Sequence, residues 1–86
     1  MNIKKVEIVP IKPHEGLIGF ASIVIGDCLY LSSIGVHMRL DGKGFRITYP
    51  TKKVGNVNVA VFHPLEKELG REIEQAIFEK AAQIFV

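Results

Sequence analysis

Cysteines and long apolar segments are scarce in this 86-residue chain, and each shortage excludes a class of structure. With a single cysteine, the chain can form neither an internal disulfide nor a zinc site of four cysteines. No apolar run approaches the ~20 residues that a membrane-spanning helix needs. The basic first residues lead into alternating residues rather than into an apolar signal core. We therefore expect one soluble, cytoplasmic domain, spanning residues 1–86, that does not bind membranes.

Residues that could assemble a catalytic or metal site are also few. No histidine has the short spacing to another that metal ligands show, so a structural role is the simpler interpretation of each. Cys28 has no evident neighbour to activate its thiol, and we interpret it as a packing residue. Ser32 and Ser33 lie within a predicted strand, without the sharp turn that exposes a nucleophile. We therefore expect no enzyme activity, no cofactor, no metal and no small-molecule substrate.

The net charge of the chain is small, but the charges are unevenly distributed. The formal net charge is +2. Residues 1–63 carry eight Lys or Arg against four Asp or Glu, whereas residues 64–86 carry three against five. Within residues 39–53 the only acid is Asp41, and the cations are Arg39, Lys43, Arg46, Lys52 and Lys53. A basic middle and a mildly acidic C-terminal part would steer a polyanion towards one face of the protein.

The first two-thirds of the chain is patterned like strands joined by turns. About five strands are predicted, over residues 3–12, 17–25, 28–36, 45–49 and 57–62. Pro10 cannot donate a ladder hydrogen bond, so the first strand is expected at a sheet edge or to be bulged. The strand at 17–25 is apolar on both faces, so both faces need cover. We interpret residues 51–56 as a polar connector.

The hydrophobic period changes at Pro64. From there to residue 84 the apolar residues fall on one helical stripe: Leu65, Leu69, Ile73, Ala76, Ile77, Ala81 and Ile84. Pro64 suits the first helical position. The pattern predicts an α+β fold, in which an antiparallel meander precedes one C-terminal amphipathic helix over residues 64–84. Because one helix covers one face of a sheet, we expect a second copy to supply the remaining cover, giving a homodimer formed through strands.

The basic middle of the chain offers a candidate site for a polyanion. Thr51, Lys52 and Lys53 follow a predicted strand end, and Pro50 stiffens the exit. Two ammonium groups on a defined loop can neutralise backbone phosphates and release counterions, with little dependence on sequence. Arg46, on the preceding strand, would extend the patch. These residues alone are weak evidence, and they favour a plain solvated loop over a nucleic-acid site.

Two aromatic residues lie beside this loop. Phe45 and Tyr49 could stack on bases. They share a strand face with Ile47, however, so we expect them to pack in the core instead.

Several short motifs, in order, resemble those of the SpoVG family, the stage V sporulation protein G or septation regulators of bacteria. The resemblance runs over about residues 6–85. It rests on Ala-Ser-Ile at 21–23, Ile-Gly-Val at 34–36, Gly-Phe at 44–45, Tyr-Pro-Thr-Lys-Lys at 49–53 and Phe-His-Pro-Leu at 62–65. The aromatic–proline–hydroxyl–basic pair and the His-Pro before the helix are its most specific parts.

The resemblance implies a small α+β protein that dimerises through its strands and binds DNA and RNA with little sequence preference. It also implies a regulatory role linked to septation, sporulation and gene expression. By similarity, Lys52 and Lys53 contact the nucleic acid together with a nearby position on the last helix, for which we choose Arg71.

The chain departs from the family pattern in three ways. Family members commonly place a basic residue where this chain has Gly35. The stretch between Lys53 and Val57 carries no further charge, and the chain ends directly after the helix, without the polar tail of many members. These departures put the strength of the basic patch, and any contribution of a tail, in doubt. An alternative function is that of a protein-interaction module acting on the cell-division machinery. The apolar strand surfaces and the net acidic helix favour that alternative.

Overall fold

The computed structural model describes residues 2–85 as six strands and one helix. In chain order the elements are β1 (Ile3–His14), β2 (Leu17–Ile25), β3 (Leu29–Met38), β4 (Phe45–Thr48), β5 (Thr51–Val54), β6 (Val57–Ala60) and α1 (Lys67–Ile84). The predicted α+β class, with antiparallel strands followed by one C-terminal helix, is confirmed.

The first four strands form an antiparallel sheet in the order β1-β2-β3-β4. The two long hairpins, β1–β2 and β2–β3, build most of it. The short strand β4 pairs only with the C-terminal part of β3, from Gly35 to Met38. The N-terminal half of β3 therefore forms an edge of the sheet, opposite the edge formed by β1.

The core lies between one face of this sheet and α1. Ile23, Ile34 and Val36 from the sheet meet Ile73 and Ile77 from the helix, and all five side chains are almost fully buried. Burying one such side chain stabilises the fold by roughly 1.5–3 kcal/mol. The predicted apolar stripe of the helix is thus the surface that packs on the sheet.

The other face of the sheet is not covered by any element formed by residues 2–85. On β2, Ala21 and Ile23 face the helix, whereas Phe20 on the opposite face is 40% exposed and Val24 is partly exposed. The expectation that β2 needs cover on both faces is therefore met on one face only within residues 2–85. Below, "the open face" means the sheet surface opposite α1.

The polar connector expected at residues 51–56 is wrong, because this segment begins a second sheet. β5 and β6 pair as an isolated antiparallel hairpin that turns at Gly55 and Asn56. Gly55 has a φ of 61°, which a tight hairpin turn requires and glycine adopts without strain. The last strand ends at Ala60 rather than at Phe62, so there are six strands in two sheets instead of about five in one.

The helix begins three residues later than predicted, at Lys67 instead of Pro64. Its first hydrogen bond runs from the Gly70 amide to the Glu66 carbonyl, at 3.1 Å. The Pro64 carbonyl instead lies 3.2 Å from the His63 ring Nδ1, and Leu65 is 93% exposed. Pro64 and Leu65 thus form the approach to the helix, and its end at Ile84 is as predicted.

Candidate nucleic-acid interface

The two predicted lysines lie on the β5–β6 hairpin and not on a loop. All eight residues of its two strands are exposed. Lys52 pairs in register with Val59, and Lys53 with Asn58. Adjacent residues of a strand point to opposite faces. The lysines therefore do not form one paired cluster, and each side of the hairpin carries a single ammonium group.

The two faces of the hairpin differ in chemistry. Lys52 shares its face with Val54, Val57 and Val59, which we call the valine face. Lys53 shares the other face with Thr51, Asn58 and Ala60, which we call the polar face. Within residues 2–85, neither strand packs extensively against the main sheet or α1. The hairpin is therefore an arm that offers an apolar side and a hydrogen-bonding side.

The base of the arm is fixed by an aromatic pair. Tyr49 packs edge-on against Phe62, with ring centroids 5.9 Å apart, and the Val61 amide donates a 2.9 Å hydrogen bond to the Pro50 carbonyl. Burial raises the pKa of the Tyr49 hydroxyl, and the nearby Glu74 carboxylate raises it further. Tyr49 thus anchors the arm and cannot stack on a base.

Phe45, the other aromatic residue considered beside the basic segment, also faces the interior. Its ring centroid lies 6.3 Å from that of Phe85, just past α1. It packs against the hydrophobic core together with Ile47. The expectation that Phe45 and Tyr49 are core residues agrees with the structure.

Arg46 lies on the open face and shares a groove with a second arginine. On β4 it pairs in register with His37 of β3. Together with Arg39, Leu40 and Asp41 it lines a surface groove of about 490 Å³. The Asp41 carboxylate is 3.9 Å from Arg39 Nε and accepts a 2.9 Å hydrogen bond from the Lys43 amide. Two guanidinium groups and one carboxylate leave a net positive groove.

Arg39 is the functional candidate that sequence reasoning missed. The sequence shows Arg39 among the cations of residues 39–53 but does not place it next to Arg46. The turn between β3 and β4 brings it back beside Arg46, and this proximity depends on the register of the two strands. Predicting the β3–β4 hairpin together with its strand register would have placed Arg39 beside Arg46.

His37 and Thr48 lie beside Arg46 on the open face. His37 Nε2 and Thr48 Oγ1 are hydrogen-bonded at 3.0 Å. They lean over Gly35, where an added Cβ atom would lie only 2.6 Å from Thr48 Oγ1. Burial lowers the pKa of His37, and the Arg46 charge lowers it further. His37 is therefore neutral at physiological pH and contributes hydrogen bonds rather than charge.

Arg71 lies apart from the other predicted site residues. It is exposed on the outer side of α1, where it lines a groove with Glu74, Gln75, Phe78 and Glu79. The inner side of α1 faces the sheet through Ile73 and Ile77. Since Arg46 occupies the sheet face away from α1, the structure does not bring Arg71 and Arg46 onto one surface.

The acids outside the C-terminal part of the chain are held in local contacts. Glu7 is 2.8 Å from Lys5, Asp27 is 3.7 Å from Lys4, and Asp41 contacts Arg39 as described. Glu15 is 3.9 Å from the His14 ring. By contrast, eight Lys or Arg side chains form no ion pair with any residue between positions 2 and 85: Lys12, Lys43, Arg46, Lys52 and Lys53, and on α1 Lys67, Arg71 and Lys80. The three on α1 lie in the part of the chain where acids outnumber bases. Net positive charge therefore gathers around the β3–β4 turn and the arm.

Among residues 2–85, no three His, Cys, Asp or Glu side chains lie close enough together to hold a metal ion. The helix found in this range is too polar to cross a membrane.

The comparison with protein families agrees with the motifs. The family model described as SpoVG matches residues 1–83. No curated protein matches the chain significantly. Because the family match covers nearly the whole chain, this protein belongs to the SpoVG family.

Proposed function

We propose that this protein is a homodimeric, cytoplasmic regulator that binds DNA and RNA through its arm and the adjacent arginine groove. Membership of the SpoVG family indicates a regulator related to sporulation or septation. The observation that carries the nucleic-acid proposal is the set of unpaired cations that runs from Lys43 and Arg46 to Lys52 and Lys53. No catalytic step is part of this proposal.

Phosphate contact is the chemistry that this surface offers. Exposed lysines on a narrow arm can approach a sugar–phosphate backbone without deforming the fold, and each contact releases counterions. Such contacts position the protein without reading the base sequence. On the polar face, Thr51 and Asn58 add hydrogen-bonding groups beside Lys53. We therefore expect strong salt dependence and weak sequence preference.

A second copy of the chain is the best cover for the valine face. An isolated two-stranded hairpin is at best marginally stable in water, and Val57 is 62% exposed. Packing two valine faces together would bury these side chains and leave both polar faces outside. The long side chain of Lys52 can extend its ammonium group to the rim of such an interface. The dimer would then present phosphate-binding groups from both copies.

A salt-dependent binding assay tests this function. In gel-shift titrations at low salt, the wild-type protein should bind both a DNA duplex and an RNA strand, and binding should weaken steeply as salt rises. Lys52→Ala combined with Lys53→Ala should abolish most of the binding while circular dichroism shows an unchanged fold. Lys67→Ala combined with Lys80→Ala, which removes the same charge from α1, is the matched control and should bind nearly as the wild type does. Absence of binding at low salt would reject the proposal.

The edge of β3 favours a second candidate function, that of a protein-interaction module for the division machinery. The N-terminal half of β3 pairs with β2 on one side, but β4 does not reach it on the other side. An extended peptide can add to such a free strand edge. Beside it lies an apolar cavity of about 210 Å³, lined by Leu29, Leu31, Phe62 and Leu69 among others. A partner protein that stays bound at high salt, and that the Lys52 and Lys53 substitutions do not release, would favour this function.

A further inference from the structure

The open face carries two exposed aromatic side chains that the core does not use. Phe20 on β2 is 40% exposed, and Tyr30 on β3 is 66% exposed. We infer that this face is a stacking platform for the bases of a single-stranded nucleic acid. The inference rests on the proposed function and adds to it a second contact surface and a preference for unpaired strands.

The strand register shows where the two rings lie. Phe20 sits between Val9 of β1 and Gly35 of β3, whereas Tyr30 lies opposite Val24 of β2. The two aromatic positions are thus on adjacent strands and four residues apart along β2. With ~3.3 Å per residue and ~4.8 Å between strands, their Cα atoms are roughly 14 Å apart. An extended single strand can therefore place different bases on the two rings.

Beside Phe20 the sheet surface has no side chain at Gly35 and is lined by polar groups. Gly35 has no side chain, so the floor next to the Phe20 ring is formed by the hydrogen-bonded pair of His37 and Thr48. The Nδ1 atom of His37 is buried and has no hydrogen-bond partner among residues 2–85, whereas Thr48 is exposed. A base stacked on Phe20 would thus lie near Thr48, whose hydroxyl group can donate or accept a hydrogen bond.

A basic side chain lies near each end of this platform, but only one of the two is free of an acidic partner among residues 2–85. Arg46, which forms no ion pair within residues 2–85, lies in register with His37. Lys5 of β1 pairs in register with Val24 of β2, and Val24 pairs in turn with Tyr30 of β3. The Lys5 ammonium group, however, lies 2.8 Å from the Glu7 carboxylate. Arg46 is therefore the stronger phosphate contact. A strand that crosses the face from Tyr30 towards Arg46 would continue to the arginine groove.

The chemistry of the face favours an unpaired strand over a second copy of the chain. Two packed sheets bury side chains from both inner faces. This face carries the apolar residues Val9, Phe20, Val24 and Tyr30, but it mixes them with the polar or charged Lys5, Glu7, Thr48 and Arg46. The valine face of the arm is the more uniformly apolar surface for a dimer. A duplex keeps its bases stacked inside, whereas unpaired bases are free to stack on aromatic side chains.

Tyrosine fluorescence tests the inference, because the chain has no tryptophan and only two tyrosines. In a Tyr49→Phe background, all tyrosine emission comes from Tyr30. A 12-nucleotide oligothymidylate should quench this emission, and a 12-base-pair duplex should not. Phe20→Ala and Tyr30→Ala should each weaken single-strand binding about tenfold and leave duplex binding nearly unchanged. Val9→Ala, on the same face, is the control and should change single-strand affinity less than twofold.

The outcomes separate this inference from the proposed function. If the oligothymidylate binds while Tyr30 emission and the two alanine variants are unaffected, the platform is wrong and the proposed function stands. If neither the single strand nor the duplex binds at low salt, both fail. If Phe20→Ala converts a dimer into a monomer in light scattering, the open face is an interface between copies, and the platform is again wrong.

Discussion

At the scale of single residues, the open face around Arg46 depends on a few close contacts. Gly35 leaves room for Thr48 and His37 to lean together, and their hydrogen bond sets the surface beside Arg46. A side chain at position 35 would have no space, because an added Cβ atom would lie within 3.2 Å of both Thr48 Oγ1 and His37 Nε2. The consequences can be measured one residue at a time.

Replacing Gly35 with alanine should destabilise the protein by about 1 kcal/mol. The new Cβ atom would lie 2.6 Å from Thr48 Oγ1, so Thr48 must rotate and its hydrogen bond to His37 is lost. Urea unfolding of Gly35→Ala measures the cost. Thr48→Ala removes the obstructing hydroxyl, and the double variant should therefore lose less than the sum of the two single changes. Strict additivity would show that the two residues do not interact.

Acidification should destabilise the fold through His37. Because burial and Arg46 lower the pKa of His37 in the folded state, the unfolded chain binds the proton more readily. The stability contributed by neutral His37 is present above the unfolded pKa of about 6.5 and is lost as pH falls towards the folded pKa. Thermal melts at several pH values should show a smaller acid loss for His37→Gln than for the wild type. Equal pH profiles would contradict this role of His37.

At the scale of elements, the helix and the arm depend on different kinds of contact. α1 is held by its buried stripe, whereas the arm has no comparable anchor beyond its base. Ile77→Ala should therefore cost about 2–5 kcal/mol, since Ile77 is fully buried. Ile84→Ala, near the exposed end of the same helix, should cost far less in the same urea experiment. Similar losses for the two variants would contradict the described core.

Disrupting the valine face should change the oligomeric state without unfolding the protein. Val57→Thr with Val59→Thr keeps the strand propensity and shape but adds hydroxyl groups to the proposed dimer surface. Light scattering should show the mass fall from dimer to monomer, while circular dichroism stays unchanged because the core lies elsewhere. Asn58→Ala on the polar face is the control. A wild-type mass that already equals the monomer would refute the dimer.

The helix has a buried side and the arm has none, and this difference explains why the sequence predicts the helix but not the arm. The stripe from Leu69 to Ile84 has a clear 3.6-residue period because one side of the helix is buried. The arm has no buried side, and Lys52 and Lys53 interrupt the alternation that would mark a strand. Residues 51–56 therefore looked like a connector, although Gly55-Asn56 fits a tight turn.

At the scale of the whole molecule, the protein has two sides, which differ in charge and in whether α1 covers the sheet. The acids of the C-terminal part lie on or next to α1 and outnumber its three cations, while most of the other cations without an ion pair among residues 2–85 lie on the sheet, the β3–β4 turn and the arm. The uneven charge was visible in the sequence. The separation of Arg71 from Arg46, and the exposure of Phe20 and Tyr30, depend on which sheet face the helix covers, and local patterns do not encode that choice.

The most direct test of the central claim is the salt dependence of binding to a DNA duplex, measured by fluorescence anisotropy. Each lost phosphate contact lowers the magnitude of the slope of log K against log salt by about 0.9. Removing Lys52 and Lys53 together should lower it by roughly two per chain, whereas the Lys67 and Lys80 double variant should keep the wild-type slope. Equal slopes for all three proteins would show that the arm does not contact phosphates and would contradict the account.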